Sequence, residues 1–212
     1  MEKRKMKRRG VLLIVSGPSG AGKGTLVRAY VDSREDVYLS VSATTRSPRA
    51  GEVDGTSYHF TSYEQFMDMV NEGQLLEWAE YCGNCYGTPK AAIEQMLAEG
   101  KDVILEIDVQ GAMKIRSKMP EGVFIFVLPP SMEVLKQRLI GRESESNTSV
   151  IARLKRAQTE FLLIDKYNYV LVNDTIEQAI SDLDGILRAE KCRIERNKNI
   201  IQEVCGDVIS FN

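Results

Sequence analysis

Five short runs rich in apolar and β-branched residues punctuate the chain: Val11–Val15, Val37–Val41, Val103–Ile107, Val123–Leu128 and Tyr169–Val172. Runs of this length predict strands, and a continuous one such as Val11–Val15 suits a strand buried on both faces of a parallel sheet. Helical spacing fills the gaps. A helix is expected from near Lys23 through Thr25 to Val31. In "TSYEQFMDMV", Ser62 and Gln65 form a capping box, after which Phe66, Met69 and Val70 share a face. "TPKAAIEQMLAEG" predicts a helix with Thr88 as N-cap, Pro89 in the first turn, Gly100 just past the end, and Ile93, Met96 and Leu97 facing the core. From Ile176 to Val204 a single long helix is expected, its Ile180, Leu183, Ile186 and Leu187 packing on the chain's own core.

Strands alternating with helices predict a three-layer α/β fold with a parallel five-stranded sheet, its ligands bound at the carboxyl ends of the strands. Two stretches fit that sandwich poorly. Residues 42–88, rich in Gly, Ser and Tyr, read as a small β-containing insertion. Residues 138–156, "RLIGRESESNTSVIARLKR", are polar with basic ends and read as a lid that closes over charge. The expected organisation is a single domain with core segments 10–41, 89–137 and 157–212, preceded by a basic tail, 1–9.

Composition narrows the function classes. The 212 residues are 43% hydrophobic, enough for one sizeable core, and the net charge of −2 offers nucleic acid or membrane no overall attraction. The exception is "MEKRKMKRRG", read here as a solvated tail rather than an RNA- or lipid-binding arm. The apolar stretch after it is too short for a secretory signal, and none spans a bilayer, so a cytoplasmic protein is expected. Cys82 and Cys85 form a C-x-x-C that lacks a second pair at matching spacing, which favours reduced thiols in a hairpin over a zinc site. His59, the one histidine, lies between Tyr58 and Phe60 and reads as a packed side chain rather than a base.

The chemistry starts at "SGPSGAGKGT", a G-x-x-x-x-G-K loop between a predicted strand and helix. Gly17, Gly20 and Gly22 allow backbone N–H groups to converge on an anion at a helix amino end, and Lys23 adds a full charge for the β- and γ-phosphates of a triphosphate. Most such loops follow the lysine with a Ser or Thr that ligates Mg²⁺. Here Gly24 holds that place and Thr25 comes next, so the metal would rest mainly on phosphate and water, with Thr25 on phosphate. Neither N-K-x-D nor a convincing D-x-x-G is present, which argues against a GTPase switch. A second anion site is suggested by Arg46 and Arg49 in "TTRSPRAGEVDGTSYHF", with Ser42 before and Tyr58 after: guanidinium forks grip phosphate, although two solvated arginines in a turn would look the same.

"SGPSGAGKGT", "TTRSPRAGEVDGTSYHF", "LLEWAEYCGNCYGTP" and "ILEIDVQGA", in this order, resemble guanylate kinases, and "LKQRLIGR", Arg153 and "VLVND" extend the resemblance from about Gly10 to about Leu187. It implies a P-loop NTPase fold with an inserted GMP-binding segment and a lid, transferring the γ-phosphoryl group of ATP, with Mg²⁺, to GMP. Gly17, Pro18, Ser19, Gly20, Ala21, Gly22, Lys23, Gly24 and Thr25 would hold the ATP phosphates, while Arg138 and Asn173 would frame the adenine. Arg46, Arg49, Tyr58 and Tyr86 would hold the GMP phosphate. Glu77 would accept from guanine N1–H and the amino group, with Ser42 and Thr88 donating to O6; on adenine, N1 would meet Glu77 as an unpaired acceptor. Glu106 and Asp108 would contact GMP or the hydrated metal, in roles the resemblance leaves open. Lys23, Arg46 and the lid arginines Arg142 and Arg153 would stabilise the transfer. The lid departs from the family in one respect: "GRESES" lacks the usual glycine after the arginine. Two alternatives stand beside this reading, a kinase for another phosphorylated acceptor and a non-catalytic phosphopeptide-binding module. ATP and GMP are the expected partners, and the oligomeric state is left open.

Overall fold

The structure, a computed structural model, describes residues 8–81, 83–141 and 147–208, leaving aside the side chains of residues 81, 147–149 and 207. Strand β1 (Leu12–Ser16) leads through the glycine loop into α1 (Lys23–Asp32), and β2 (Val37–Leu39) follows. Next come β3 (Ala43–Thr44), β4 (His59–Phe60), α2 (Tyr63–Asn71), β5 (Leu75–Tyr81) and β6 (Asn84–Pro89). The chain continues through α3 (Lys90–Ala98), β7 (Asp102–Glu106), α4 (Val109–Lys118), β8 (Val123–Leu128) and α5 (Met132–Ile140). Then α6 (Asn147–Phe161), β9 (Tyr169–Val172), α7 (Ile176–Lys191) and α8 (Ile194–Cys205) follow.

Strands β2, β7, β1, β8 and β9 form the expected five-stranded sheet in that order, every pair parallel. Side-chain alternation along β1 explains why its sequence is apolar throughout. Val11, Leu13 and Val15 enter a core with Leu26, Val27 and Tyr30 of α1 and Ala179, Leu183 and Leu187 of α7. Leu12 and Ile14 point the other way, into a core with Ile93 and Leu97 of α3 and Ala112 and Ile115 of α4. Both faces are thus covered by helices, the three-layer arrangement the alternation predicts.

A second sheet, in the order β4-β3-β6-β5, is built from residues of the 42–88 stretch and its edge, with its own small core of Ala43, Phe66, Leu75 and Cys85. The Ser62–Gln65 capping box forms as expected at the start of α2. Leu135 and Leu139 of α5 pack with Val150 and Ala157 of α6 in a separate cluster.

Three local expectations are corrected. Pro89, not Thr88, is the N-cap of α3, because Thr88 stays in β6 and its hydroxyl donates to the Glu77 carboxylate at 2.8 Å. The tail is two helices. Arg193 is extended (φ −62°, ψ 142°), and the Asn197 side chain donates to the carbonyl of Lys191 at 2.9 Å, closing off the end of α7. As expected, α7 packs on the core, whereas no residue of α8 is buried. His59 is exposed rather than packed, since strand alternation turns it away from the side where Tyr58 and Phe60 meet Arg46.

Candidate active site at the strand ends

The glycine loop leaves the carboxyl end of β1 and enters α1 with no side-chain cap at Gly22, so the first N–H groups of the helix keep no competing internal acceptor of that kind. Close approach dictates the glycines. A Cβ on Gly17 (φ +142°) would lie 2.4 Å from the Val127 carbonyl oxygen, and one on Gly22 (φ +84°) would lie 2.4 Å from Asn173 Nδ2. Lys23 Nζ lies over the loop and donates to the carbonyls of Gly17 (2.7 Å) and Pro18 (3.0 Å). Position 24 has its own reason to be glycine, for the Glu106 carboxylate at the end of β7 would stand 3.2 Å from any Cβ there. A carboxylate takes the space in which other loops keep a hydroxyl.

Arg138 and Asn173 meet at the far side of the loop. Asn173 Nδ2 donates to the Ala21 carbonyl at 2.9 Å, while Arg138 reaches the Asn173 carbonyl at 3.1 Å and that of Ala21 at 3.4 Å. Asn173 is buried, and its Oδ1 has no hydrogen-bond partner among the described residues. Arg153 of α6 reaches Ser19 Oγ at 3.3 Å, bringing a second cation to the loop. Arg142 lies outside the described residues, as does Cys82.

The second cluster stands on the small sheet. Arg46 makes a forked pair with Glu52, Nη1 to Oε2 at 2.9 Å and Nη2 to Oε1 at 2.8 Å, and lies over the rings of Tyr58 (5.4 Å) and Phe60 (5.8 Å). Tyr58 and Tyr86 meet edge to face at 6.1 Å. Glu52 also accepts the Arg49 backbone N–H at 2.7 Å, so one carboxylate holds both arginine positions together. Its hydrogen bonds from Arg46 keep the Glu52 carboxyl below the usual range. Sequence reasoning missed Glu52, although its place after Arg49 in "PRAGEVDG" was open to view.

Glu77 is 8% exposed and accepts from Thr88. Burial pushes its carboxyl up; the Thr88 hydroxyl pulls it back in part, and the nearby Asp108 charge adds a smaller upward push. Two lysines of α4 fix the strand on either side of it: Lys118 Nζ donates to the Leu76 carbonyl and Lys114 Nζ to that of Trp78, both at 2.6 Å. Neither was predicted. Asp108 caps α4 through Oδ1, which accepts from Gly111 N at 2.8 Å, and its Oδ2 accepts from Arg156 of α6 at 3.0 Å. Gly111 separates the two acidic groups, since a Cβ there would sit 3.2 Å from Asp108 Oδ1 and 3.4 Å from Glu77 Oε2. Ser42 leads into β3, its carbonyl accepting from His59 N at 2.9 Å.

Cys85 is a packed apolar contact of the small sheet, its thiol pushed up by burial. Among the described residues no group of three or more His, Cys, Asp or Glu side chains is arranged to hold a metal ion. A cavity of about 450 Å³ opens by Leu12 and Val123, at the opposite ends of the strands, and shares no residue with the loop.

A glycine loop with cations from α5 and α6, Arg46 and Arg49 held by Glu52, and the buried Glu77 on the small sheet are built from the motifs singled out in the sequence. A profile of the family described as guanylate kinase matches residues 9–190. The chain belongs to the guanylate kinase family. It is 54% identical over 203 residues to the guanylate kinase of Clostridium perfringens, covering 96% of this chain and 94% of the relative. With that of Caldanaerobacter subterraneus it shares 50% identity over 199 residues, covering 94% and 97%. Among solved structures, the guanylate kinase of Anaplasma phagocytophilum superposes with a TM-score of 0.75 at 34% identity, covering 92% of this chain and 95% of that one. Neither the other-acceptor kinase nor the phosphopeptide-binding module gains support from these relatives.

Proposed function

We propose that the chain catalyses reversible transfer of the γ-phosphoryl group from ATP to GMP, giving ADP and GDP, within cytoplasmic purine nucleotide metabolism, and that dGMP is also accepted. The observation that carries this reading is the buried Glu77 carboxylate, on a strand whose flanking carbonyls accept from Lys118 and Lys114, and on the same small sheet that carries Arg46. Guanine offers two adjacent donors to such a carboxylate, whereas adenine offers an acceptor. A buried partner left unpaired makes discrimination steep.

ATP and GMP together bring about six negative charges into one cleft, and offsetting their repulsion is the main catalytic task. The N–H groups of Gly17–Thr25 and the Lys23 ammonium receive the ATP phosphates, for which Lys23 exchanges its loop carbonyls. Arg138 and Asn173 brace the loop beside the adenine. Arg46, Arg49, Tyr58 and Tyr86 hold the acceptor phosphate, and Arg46 turns part of its fork from Glu52 to that phosphate. Ser42 and Thr88 serve the base edge with Glu77. Arg153, placed at Ser19, serves the side of the transferred group; the family resemblance gives Arg142 the same task. No protein base is needed, because a phosphate monoester is already largely dianionic at neutral pH. Excluding water keeps the transfer from ending as hydrolysis.

Mg²⁺ fits this site, since Glu106 places a hard carboxylate oxygen donor beside Gly24, where the phosphates would lie. When bound, it would neutralise phosphate charge, with the Glu106 and Asp108 carboxylates as the residues that would hold its hydration shell. The decisive experiment is a coupled ADP-release assay across GMP, dGMP, AMP, UMP, CMP and ribose bisphosphate. Turnover confined to the guanine nucleotides is expected; preference for any other acceptor overturns the reading.

A further inference from the structure

Along one face of α6, Arg153, Arg156 and Glu160 follow at helical spacing, and they reach different parts of the cleft. Arg153 touches the phosphate loop at Ser19. Arg156 divides its fork: Nε donates to Glu160 Oε1 at 2.9 Å, and Nη2 donates to Asp108 Oδ2 at 3.0 Å. The Glu160 side chain is only 11% exposed, so it is a firm anchor for the guanidinium, whereas that of Asp108 is 53% exposed. Asp108 spends its other oxygen on the amino end of α4, on the far side of Gly111 from Glu77. Arg156 is therefore the link between a helix that touches the phosphate loop and the carboxylate beside the base-reading residue. The established family motifs did not draw attention to it.

We propose that Arg156 is a positioning residue that couples the two nucleotide sites, its bridge from Glu160 to Asp108 making occupancy of the phosphate loop favour a base-ready Asp108. This rests on the proposed GMP kinase activity. An exposed ion pair adds little to stability. A fork spanning two elements instead contributes through geometry, because Asp108 can hold its Oδ2 in one place only while α6 holds the guanidinium. Lysine, a point charge with no fork, cannot serve both carboxylates equally.

The test is calorimetric titration of GMP into the whole protein, with and without saturating Mg²⁺ and a β,γ-imido ATP analogue. In the wild type the analogue is expected to tighten GMP binding by about 5-fold or more, a typical intersite coupling. Arg156→Ala is expected to bring that ratio to within about 2-fold of unity, and Arg156→Lys to leave it intermediate. Steady-state assays should show the loss in the GMP KM more than in kcat. Glu160→Gln, which weakens the anchor but leaves the arginine, supplies a second variant should Arg156→Ala fold poorly, and its ratio should also fall. Retention of the wild-type ratio in both Arg156→Ala and Glu160→Gln overturns the inference, as does a wild-type ratio of one. Failure of the wild type to phosphorylate GMP would instead strike at the functional reading, so the two failures are distinct.

Discussion

Lys23, proposed above as a catalytic charge, is held in place before any ligand arrives. Its ammonium rests on the carbonyls of Gly17 and Pro18, short contacts that hold it at the mouth of the loop. Lys23→Ala is expected to lower kcat roughly 100-fold in the ADP-release assay, since a preorganised donor aimed at developing charge contributes a few kcal/mol; near wild-type turnover would remove it from the mechanism. Arg46→Ala should raise the GMP KM as well, because it frees Glu52 and takes away half of the clamp. Glu77 shows the opposite economy. Its buried carboxyl is pushed up by desolvation, so ionising it at neutral pH weakens the fold. Glu77→Gln should therefore lose its preference for GMP over AMP while gaining about 0.5–2 kcal/mol in urea unfolding. A variant that keeps its base preference contradicts the role given to Glu77.

Elements end where partners elsewhere in the molecule allow. The single tail helix expected from periodicity breaks at Cys192–Arg193 without glycine or proline. Buried Glu190 is the cause: it is 1% exposed and gathers Tyr169, Arg193 and Arg196, while Asn197 takes the Lys191 carbonyl. Asn197→Ala should lower the melting temperature by about 2–4 °C, the effect of losing about 1 kcal/mol in a chain of this size. An unchanged melting curve would show that α7 ends without its help. The start of α3 makes the same point. "TP" is a sound N-terminal signal, yet Thr88 remains in β6 because Glu77 holds its hydroxyl. By contrast, the Ser62–Gln65 box needs only residues within one turn, and it was legible in advance.

For the whole molecule, acidic groups buried at the cleft link stability to pH. Glu77 and Glu160 both have carboxyls raised by burial first of all. As pH rises, the unfolded chain ionises them earlier than the folded one does. Their contribution to stability is thus complete below the ordinary glutamate range and is lost as pH climbs through their folded values. Urea midpoints measured from about pH 5 to about pH 8 should decline from this source, and Glu77→Gln should flatten the decline. A slope that the substitution leaves unaltered would disprove the assignment.

Local chemistry was readable from the chain alone. A loop of glycines and lysine, a capping box and strands of continuous apolar character depend on neighbours in sequence, so residue order suffices to specify them. The fold class followed, because two-sided burial of β1 admits few architectures. What lay hidden depends on where distant segments land: Glu106 against Gly24, Lys114 and Lys118 on either side of Glu77, and Arg156 across to Asp108. Those contacts join different elements, and a lysine on a helix looks the same in sequence whether it meets water or a strand carbonyl. Only the packing of α4 and α6 against the sheet ends decided which charges were brought together in the candidate site.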